Sequence, residues 1–180
     1  MFLVVITIIL SALLAAAIVL FNRLVANRNQ VQAAWSDIDV QLTRRHDLVP
    51  RLVAAVKGYA GHERATLEAV TALRQQSVAA QRLADKAGLE EQLEQGVHKL
   101  ILLAESYPDL NANENFLELQ KSLVDIEDHL QYARRFYNGS VRALNTRIET
   151  VPDSFIARLF SFRHAEYFEA DERAAPKVEL

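Results

Sequence analysis

The chain has 180 residues, with 20 Lys and Arg set against 23 Asp and Glu for a formal charge of −3. That near-neutral balance lacks the basic face or stripe of a dedicated nucleic-acid binder, so no nucleic acid is expected among its partners. The complete absence of cysteine removes both a disulfide framework and thiol chemistry, and leaves the redox compartment open.

The apolar share of the composition is concentrated at the start. From Met1 to Phe21 no residue is charged, and at about 1.5 Å per residue a helix of about 20 residues crosses a hydrocarbon core of about 30 Å. A buried core helix and a cleaved signal peptide are the competing explanations. The signal peptide is disfavoured because no basic residue precedes the run and because Ala15 to Ala17 lead into further apolar residues rather than a polar mature start. A retained transmembrane helix over 1–21 is therefore expected. Arg23 and Arg28 follow it, with Arg44 and Arg45 beyond, which favours a cytoplasmic location for the bulk of a single-pass membrane protein.

Beyond the span, residues 22–150 form one domain large enough for its own core. Val31, Trp35, Ile38, Leu42 and Val49 keep a four-and-three step with Arg45 between the last two, and no breaker separates this pattern from the span. One continuous rod is expected. Asp47 has the character of an N-cap with Pro50 in the first turn of a second helix. That helix carries Leu52, Val56, Tyr59, Glu63, Leu67, Val70 and Leu73 and is expected to fray near Asp85 to Gly88. A third runs through Leu89, Leu93, Val97, Leu100 and Leu103. Pro108 biases Tyr107 away from helix, and Asn111 with Glu114 has capping-box spacing. A fourth, long helix follows from Phe116 through Leu123, Leu130 and Tyr137 to Ile148, ending by Val151-Pro152.

Four amphipathic helices with short connections predict an all-α fold: an antiparallel four-helix bundle continuous with the transmembrane helix. Residues 151–180 add an amphipathic segment and tail, in which Phe155, Leu159 and Phe160 lead an aromatic run interleaved with Arg158, Arg163 and His164. This segment suits capping the bundle, docking on a neighbouring subunit or lying on anionic lipid. The stretch Asp171 to Leu180 is expected to be either mobile or ordered by a partner.

Several residues stand out against this pattern. Arg45 and Glu63 occupy seam positions that call for apolar residues, which fits a charge pair fixing helix register, side chains reaching the bundle end, or a polar site inside the bundle. Trp35 suits a core anchor whose indole N–H needs a partner. Gly58 lies in a strongly periodic helix, where it costs about 1 kcal/mol against Ala, so close approach of another backbone is expected there. Arg134, Asn138 and Asn145 are spaced for one helix face, and Arg134 is a candidate partner for Asp37 or Asp39. Asp125 and His129, four apart, suit a surface pair.

Enzymatic constellations are missing. A di-iron carboxylate site needs Glu-x-x-His on two helices, and none of His46, His62, His98, His129 or His164 has Glu three positions before it. HExxH and nucleotide-binding glycine loops are absent, and no serine sits in a nucleophile context. No catalytic residue, metal or cofactor is expected.

The run Ala34-Trp35-Ser36-Asp37-Ile38-Asp39-Val40-Gln41-Leu42, continued by Arg44-Arg45, Asp47-Leu48-Val49-Pro50, Lys57-Gly58-Tyr59-Ala60 and His62-Glu63, resembles the signature of the LemA family. The resemblance resumes at Tyr107-Pro108-Asp109-Leu110 with Asn113 and Phe116, at Ala133-Arg134 with Tyr137-Asn138, and at Asn145, and closes near Tyr167-Phe168. One departure is Phe160-Ser161-Phe162, where a glycine-containing turn is expected. The resemblance implies an N-terminal membrane helix with an antiparallel four-helix domain, and it brings no catalytic residues. Relatives are discussed as membrane-organising factors, one of them in magnetosome biogenesis, and members often accompany a membrane-embedded metalloprotease. Two functions are thus expected as alternatives: a non-enzymatic scaffold that homo-oligomerises at the lipid bilayer, for which Ala12, Ala15, Ala16 and Ala17 offer a small-residue helix face, and an adaptor or regulator of a membrane protease.

Overall fold

The computed structural model describes residues 1–60 and 63–169. Among them α-helix is the only regular secondary structure: α1 (Phe2–Lys57), α2 (Arg64–Ala79), α3 (Leu83–Ala104), α4 (Pro108–Asn111), α5 (Glu114–Glu149) and α6 (Asp153–Leu159). The expected all-α helical bundle with one long apolar N-terminal helix is what forms. The stretch Asp171 to Leu180, and His62 beside Glu63, lie outside the described residues. The chain divides into two compact units, to which α1 and α5 both contribute.

The first unit comprises Met1–Asp37 and Arg135–Glu166. Its N-terminal helix holds an 18-residue window of mean hydropathy 3.1, none of it buried, and is long and apolar enough to cross a membrane. Past that window Leu24 and Ala34 become buried, as do Tyr137, Val141 and Leu144 on α5. The four-and-three spacing of those α5 residues places them on one stripe, as a helix packed on one face requires. Trp35 is half-buried rather than a sealed core residue, and its ring meets Tyr137 edge-on at 5.8 Å.

The chain beyond α6 is neither helix nor strand, so its backbone needs partners from elsewhere. Asn145 supplies two: its Nδ2 donates to the Ala165 carbonyl at 3.0 Å, and its Oδ1 accepts from the Ala165 N–H at 2.9 Å. The Tyr137 hydroxyl donates to the Glu166 carbonyl at 2.9 Å, and burial, assisted by the Glu166 carboxylate, pushes that phenol up so that it stays a donor. α6 ends where Phe162 N–H reaches the Ala157 carbonyl and Ser161 N–H reaches that of Arg158, the paired bonds of a Schellman stop. Ser161 takes the left-handed position with φ of 56°. The conformation of a glycine-containing turn is therefore kept by a serine, at the steric cost glycine avoids.

The second unit comprises Ile38–Arg134 and, of the C-terminal residues, 167–169. Its core joins Val49, Leu52, Val56 and Ala60 with Leu67 and Val70 of α2, Leu93, Val97 and Leu100 of α3, and Phe116 and Leu123 of α5. Helix boundaries differ from the sequence expectation in four places. α1 does not restart at Asp47: it runs through Pro50, which is exposed, to Lys57. The break falls after Lys57, so Gly58 sits in a turn where an added Cβ would meet only its own preceding carbonyls, nearest at 3.5 Å. Among the described residues no other backbone lies within 4 Å of that position. The second helix, expected to fray near Asp85 to Gly88, ends at Ala79, and α3 begins at Leu83, with Asp85 in its first turn 3.6 Å from Arg82, where a carboxylate complements the helix dipole. Asn113 rather than Asn111 caps α5, its Oδ1 accepting from Phe116 N–H at 3.2 Å.

The glycine that does mark close approach is Gly96 on α3, buried, where an added Cβ would lie 2.8 Å from Val70 Cγ2. A β-branched valine has little χ1 freedom to move aside. Gly96→Ala is expected to cost about 1–3 kcal/mol through overpacking, outweighing a helix-propensity gain of about 1 kcal/mol. Thermal unfolding followed by circular dichroism should show a lowered midpoint, restored in large part by Val70→Ala in the same chain. An unchanged or raised midpoint for Gly96→Ala would place no constraint on the helix contact.

Candidate functional site

The second unit buries a charged cluster at the level of α1 residues 45 and 46. Glu90 on α3 is 0% exposed and Arg45 on α1 is 3% exposed. An ionised carboxylate in such a place needs donors on its oxygens, and Glu90 Oε1 has two: the hydroxyl of Ser77 on α2 and Nε2 of His46, the latter at 2.6 Å. Because a carboxylate oxygen only accepts, the proton in the second contact sits on the imidazole Nε2. Burial alone would raise the Glu90 pKa, but the bonds from His46 and Ser77 and the charge of Arg45 outweigh it and hold the group below its ordinary value.

Arg45 extends the cluster to α5. Its guanidinium lies 3.8 Å from Glu90, 3.4 Å from Glu127 and 4.0 Å from Glu94, and Arg134 on α5 lies 3.4 Å from Glu94. Burial pulls Arg45 below its ordinary pKa, though a guanidinium stays charged. Burial pushes the Glu127 carboxyl up, against the pull of Arg45 and with the neighbouring Glu94 adding to the rise. Arg45 Nε and Nη2, Glu127 Oε1 and Arg134 Nε and Nη2 are buried with no hydrogen bond among the described residues, so there this end of the cluster is held by charge more than by directed bonds. A small cavity of about 170 Å³ adjoins it, lined by Arg45, Glu94, Glu127 and His98 with apolar neighbours.

Pro50 belongs to the same arrangement. A proline inside a helix cannot donate to the carbonyl four residues back, which here is that of His46. Arg74 on α2 fills the vacancy, its Nε donating to the His46 carbonyl at 2.7 Å. The compensation explains why α1 continues where the sequence pattern suggested a restart.

Chemically the cluster is not a nucleophile site. In a serine triad the imidazole stands between the hydroxyl and the carboxylate so that it can take the proton; here Glu90 stands between Ser77 and His46, and Ser77 is buried. Among the described residues no group of three His, Asp or Glu is arranged to hold a metal ion.

The residues singled out in the sequence are thus dispersed. Arg45 is in the cluster, but its acidic partners are Glu90, Glu94 and Glu127; Glu63 is exposed at the start of α2 and pairs with none of them. Arg134 meets Glu94 in place of Asp37 or Asp39, and its guanidinium also lies 5.4 Å from the ring centre of Phe168. Asn138 is half-buried on α5, Gly58 is in the exposed turn after α1, and Phe155, Leu159 and Phe160 are exposed on and after α6. His129 Nδ1 donates to the Asp125 carbonyl at 2.7 Å and sits 3.6 Å from its carboxylate, a surface pair as the spacing suggested. Glu90, Ser77, His46 and Arg74 carry the cluster without having been picked out. Their only sequence signal is a Glu two turns into a helix one step from Leu93, which looks like an ordinary solvated position until the helices are packed.

Glu90→Gln leaves a buried ion partner uncompensated and is expected to cost about 3–5 kcal/mol. Because the folded-state pKa of Glu90 lies below its unfolded value, its contribution is present in full above about pH 4.3 and is lost as pH falls through the folded value. Denaturant melts across pH should therefore show the gap between wild type and Glu90→Gln closing on the acid side; a gap that widens there would reverse the assignment. For the proline, Arg74→Leu should cost about 1–3 kcal/mol by leaving the His46 carbonyl without a donor. In a Pro50→Ala background, which restores the helical N–H, a double-mutant cycle should find most of that cost gone. Full additivity would separate Arg74 from Pro50.

A model described as the LemA family matches residues 34–180. The magnetosome protein MamQ of Magnetospirillum gryphiswaldense is 24% identical over 185 aligned residues, covering 88% of this chain and 68% of that protein. Magnetosome protein MamQ 2 of Paramagnetospirillum magneticum is similar to the same degree, 24% over 184 residues. The protein LemA of Metamycoplasma hominis is 27% identical over 154 residues, covering 84% of this chain and 69% of that protein. The family match spans most of the chain and the apolar start of α1 accompanies it, so the chain is a membrane-associated protein belonging to the LemA family.

Proposed function

We propose that the protein is a non-enzymatic scaffold, anchored by α1 in the bacterial inner membrane with its bulk in the cytoplasm, that assembles with copies of itself. The observation that carries this reading is an uncovered apolar stripe on α5. Phe116, Leu123, Ile126 and Leu130 of that helix are buried, yet Leu117 and Val124, seven residues apart, are about half exposed, and Tyr132 two turns further on is more so. Heptad-spaced apolar residues facing outward are the pattern by which helices pair. Anchoring in one membrane plane raises the effective concentration of copies, so a modest stripe suffices. The buried cluster supports the non-catalytic part: its serine and histidine are spent on one carboxylate, and it serves to hold helices in register. Orientation rests on Arg23 and Arg28 after the span. The names of the MamQ relatives assign those proteins to the magnetosome, which agrees with a role in membrane organisation.

Light scattering of the full chain extracted in mild detergent should give a discrete particle of several copies. Leu117→Glu should shift it towards the monomer while leaving helix content intact, because that position lies on the surface away from the cavity beside the charged cluster. A wild-type monomer removes the scaffold reading and favours the adaptor, for which crosslinking in native membranes should then recover a membrane protease.

A further inference from the structure

The first unit contains a cleft of about 500 Å³ lined by Arg23 of α1, by Arg142 and Arg147 of α5, and by Asp153 at the start of α6. Asp153 neutralises Arg147 at 3.5 Å, leaving an excess of positive charge on Arg23 and Arg142. Gly139 forms part of the wall, and among the described residues an added Cβ there meets nothing within 4 Å. Beside the cleft, α6 is turned the wrong way for a helix in water. It buries Ser154 and Ala157 and exposes Phe155 (65%) and Leu159 (73%), with Phe160 (55%) following. The Phe160 and Phe162 rings lie 4.7 and 6.0 Å from the ring of Phe21, the last residue of the apolar run, and Arg28 sits 5.4 Å over Phe162.

These placements fix a level. Phe21 closes the apolar run, Arg23 comes one half-turn later, and the aromatic end of α6 is packed against Phe21 itself. An apolar surface flanked by arginines at the end of a membrane-length helix matches the boundary between acyl chains and headgroups, where aromatic residues partition and cations meet lipid phosphate. We propose that the cleft binds the headgroup of an anionic phospholipid of the host bilayer, with Arg23 and Arg142 on the phosphate, while Phe155, Leu159 and Phe160 enter the acyl region. This rests on the membrane-anchored reading above and adds a specific lipid site to it.

Since the chain has no cysteine, single labels are straightforward. The full chain carrying Leu159→Cys and an environment-sensitive dye is placed in nanodiscs of phosphatidylcholine, alone or mixed with phosphatidylglycerol. A control carries the dye at Asn29→Cys, about 12 Å further along α1 from Phe21. The Leu159 label should be blue-shifted and quenched by lipids spin-labelled on the acyl chain, and the control should not. Native mass spectrometry should show phosphatidylglycerol retained over phosphatidylcholine, with the preference reduced severalfold by Arg142→Ala and by Gly139→Met, which fills the cleft. Equal retention of both lipids, or an unquenched Leu159 label, overturns the proposal. Displacement of the bound lipid by free glycerol phosphate reassigns the cleft to a soluble phosphate compound and also overturns it. Particle size in the same nanodiscs keeps the two readings apart. A monomer with a quenched label removes self-assembly and keeps the lipid site; an oligomer with a blue-shifted, unquenched label puts α6 on a neighbouring copy and removes the lipid site.

Discussion

A single carboxylate organises the second unit. Glu90 is fully buried; its Oε1 accepts from the Ser77 hydroxyl of α2 and the His46 imidazole of α1, and its Oε2 faces the charge of Arg45 at 3.8 Å. Arg45 then reaches Glu127 on α5, so α1, α2, α3 and α5 are all tied to one ionic centre. Such a centre is a poor source of net stability, since desolvation offsets much of its attraction. Its effect is selective. Sliding any helix by one turn would strand a charge in an apolar core, whereas leucine and valine stripes tolerate a shift with modest loss. The apolar core around Leu52, Leu93, Leu100 and Phe116 supplies the driving force, and the charges restrict it to one register.

The same economy governs Pro50. A helix of 56 residues with an interior proline should kink or end unless the freed carbonyl is satisfied, and Arg74 satisfies it from α2. The helix is thereby continuous only because its neighbour is in place. Continuity of α1 is in this sense a tertiary property, although its apolar periodicity is local.

In the first unit the organising contacts are side chain to backbone. Asn145 pairs with Ala165 through both edges of its amide, Tyr137 bonds the next carbonyl, and the Schellman stop at Ser161 turns the chain toward them. Two residues of the family motif, Tyr137 and Asn145, thus have a common purpose: they hold the irregular segment beyond α6 against α5, while Trp35 packs edge-on against Tyr137. That segment keeps α6 and its exposed aromatic residues in place beside Phe21. The surfaces left uncovered, the α5 stripe and the α6 aromatics, are where the proposed assembly and lipid contacts fall.

The amino-acid order alone determined the all-helical character, the membrane-length apolar start, the core stripes and the LemA resemblance, because each depends on local spacing or composition over many residues. It also marked Arg45 as a misplaced charge. It did not reveal the partner: Glu63 lies one helix too early, and Glu90 sits in a polar-looking stretch whose burial appears only when α3 lies against α1. Gly58 was singled out because glycine in a periodic helix is costly, yet the contact that requires glycine is at Gly96, where Val70 comes from another helix. Asp47 and Pro50 carried every local mark of a helix start, and only the Arg74 side chain, which reaches the His46 carbonyl from 28 residues downstream, overrode them. Periodicity decides which face of a helix is buried; which buried polar groups find each other depends on packing between helices distant in sequence, and that the tertiary structure alone decided.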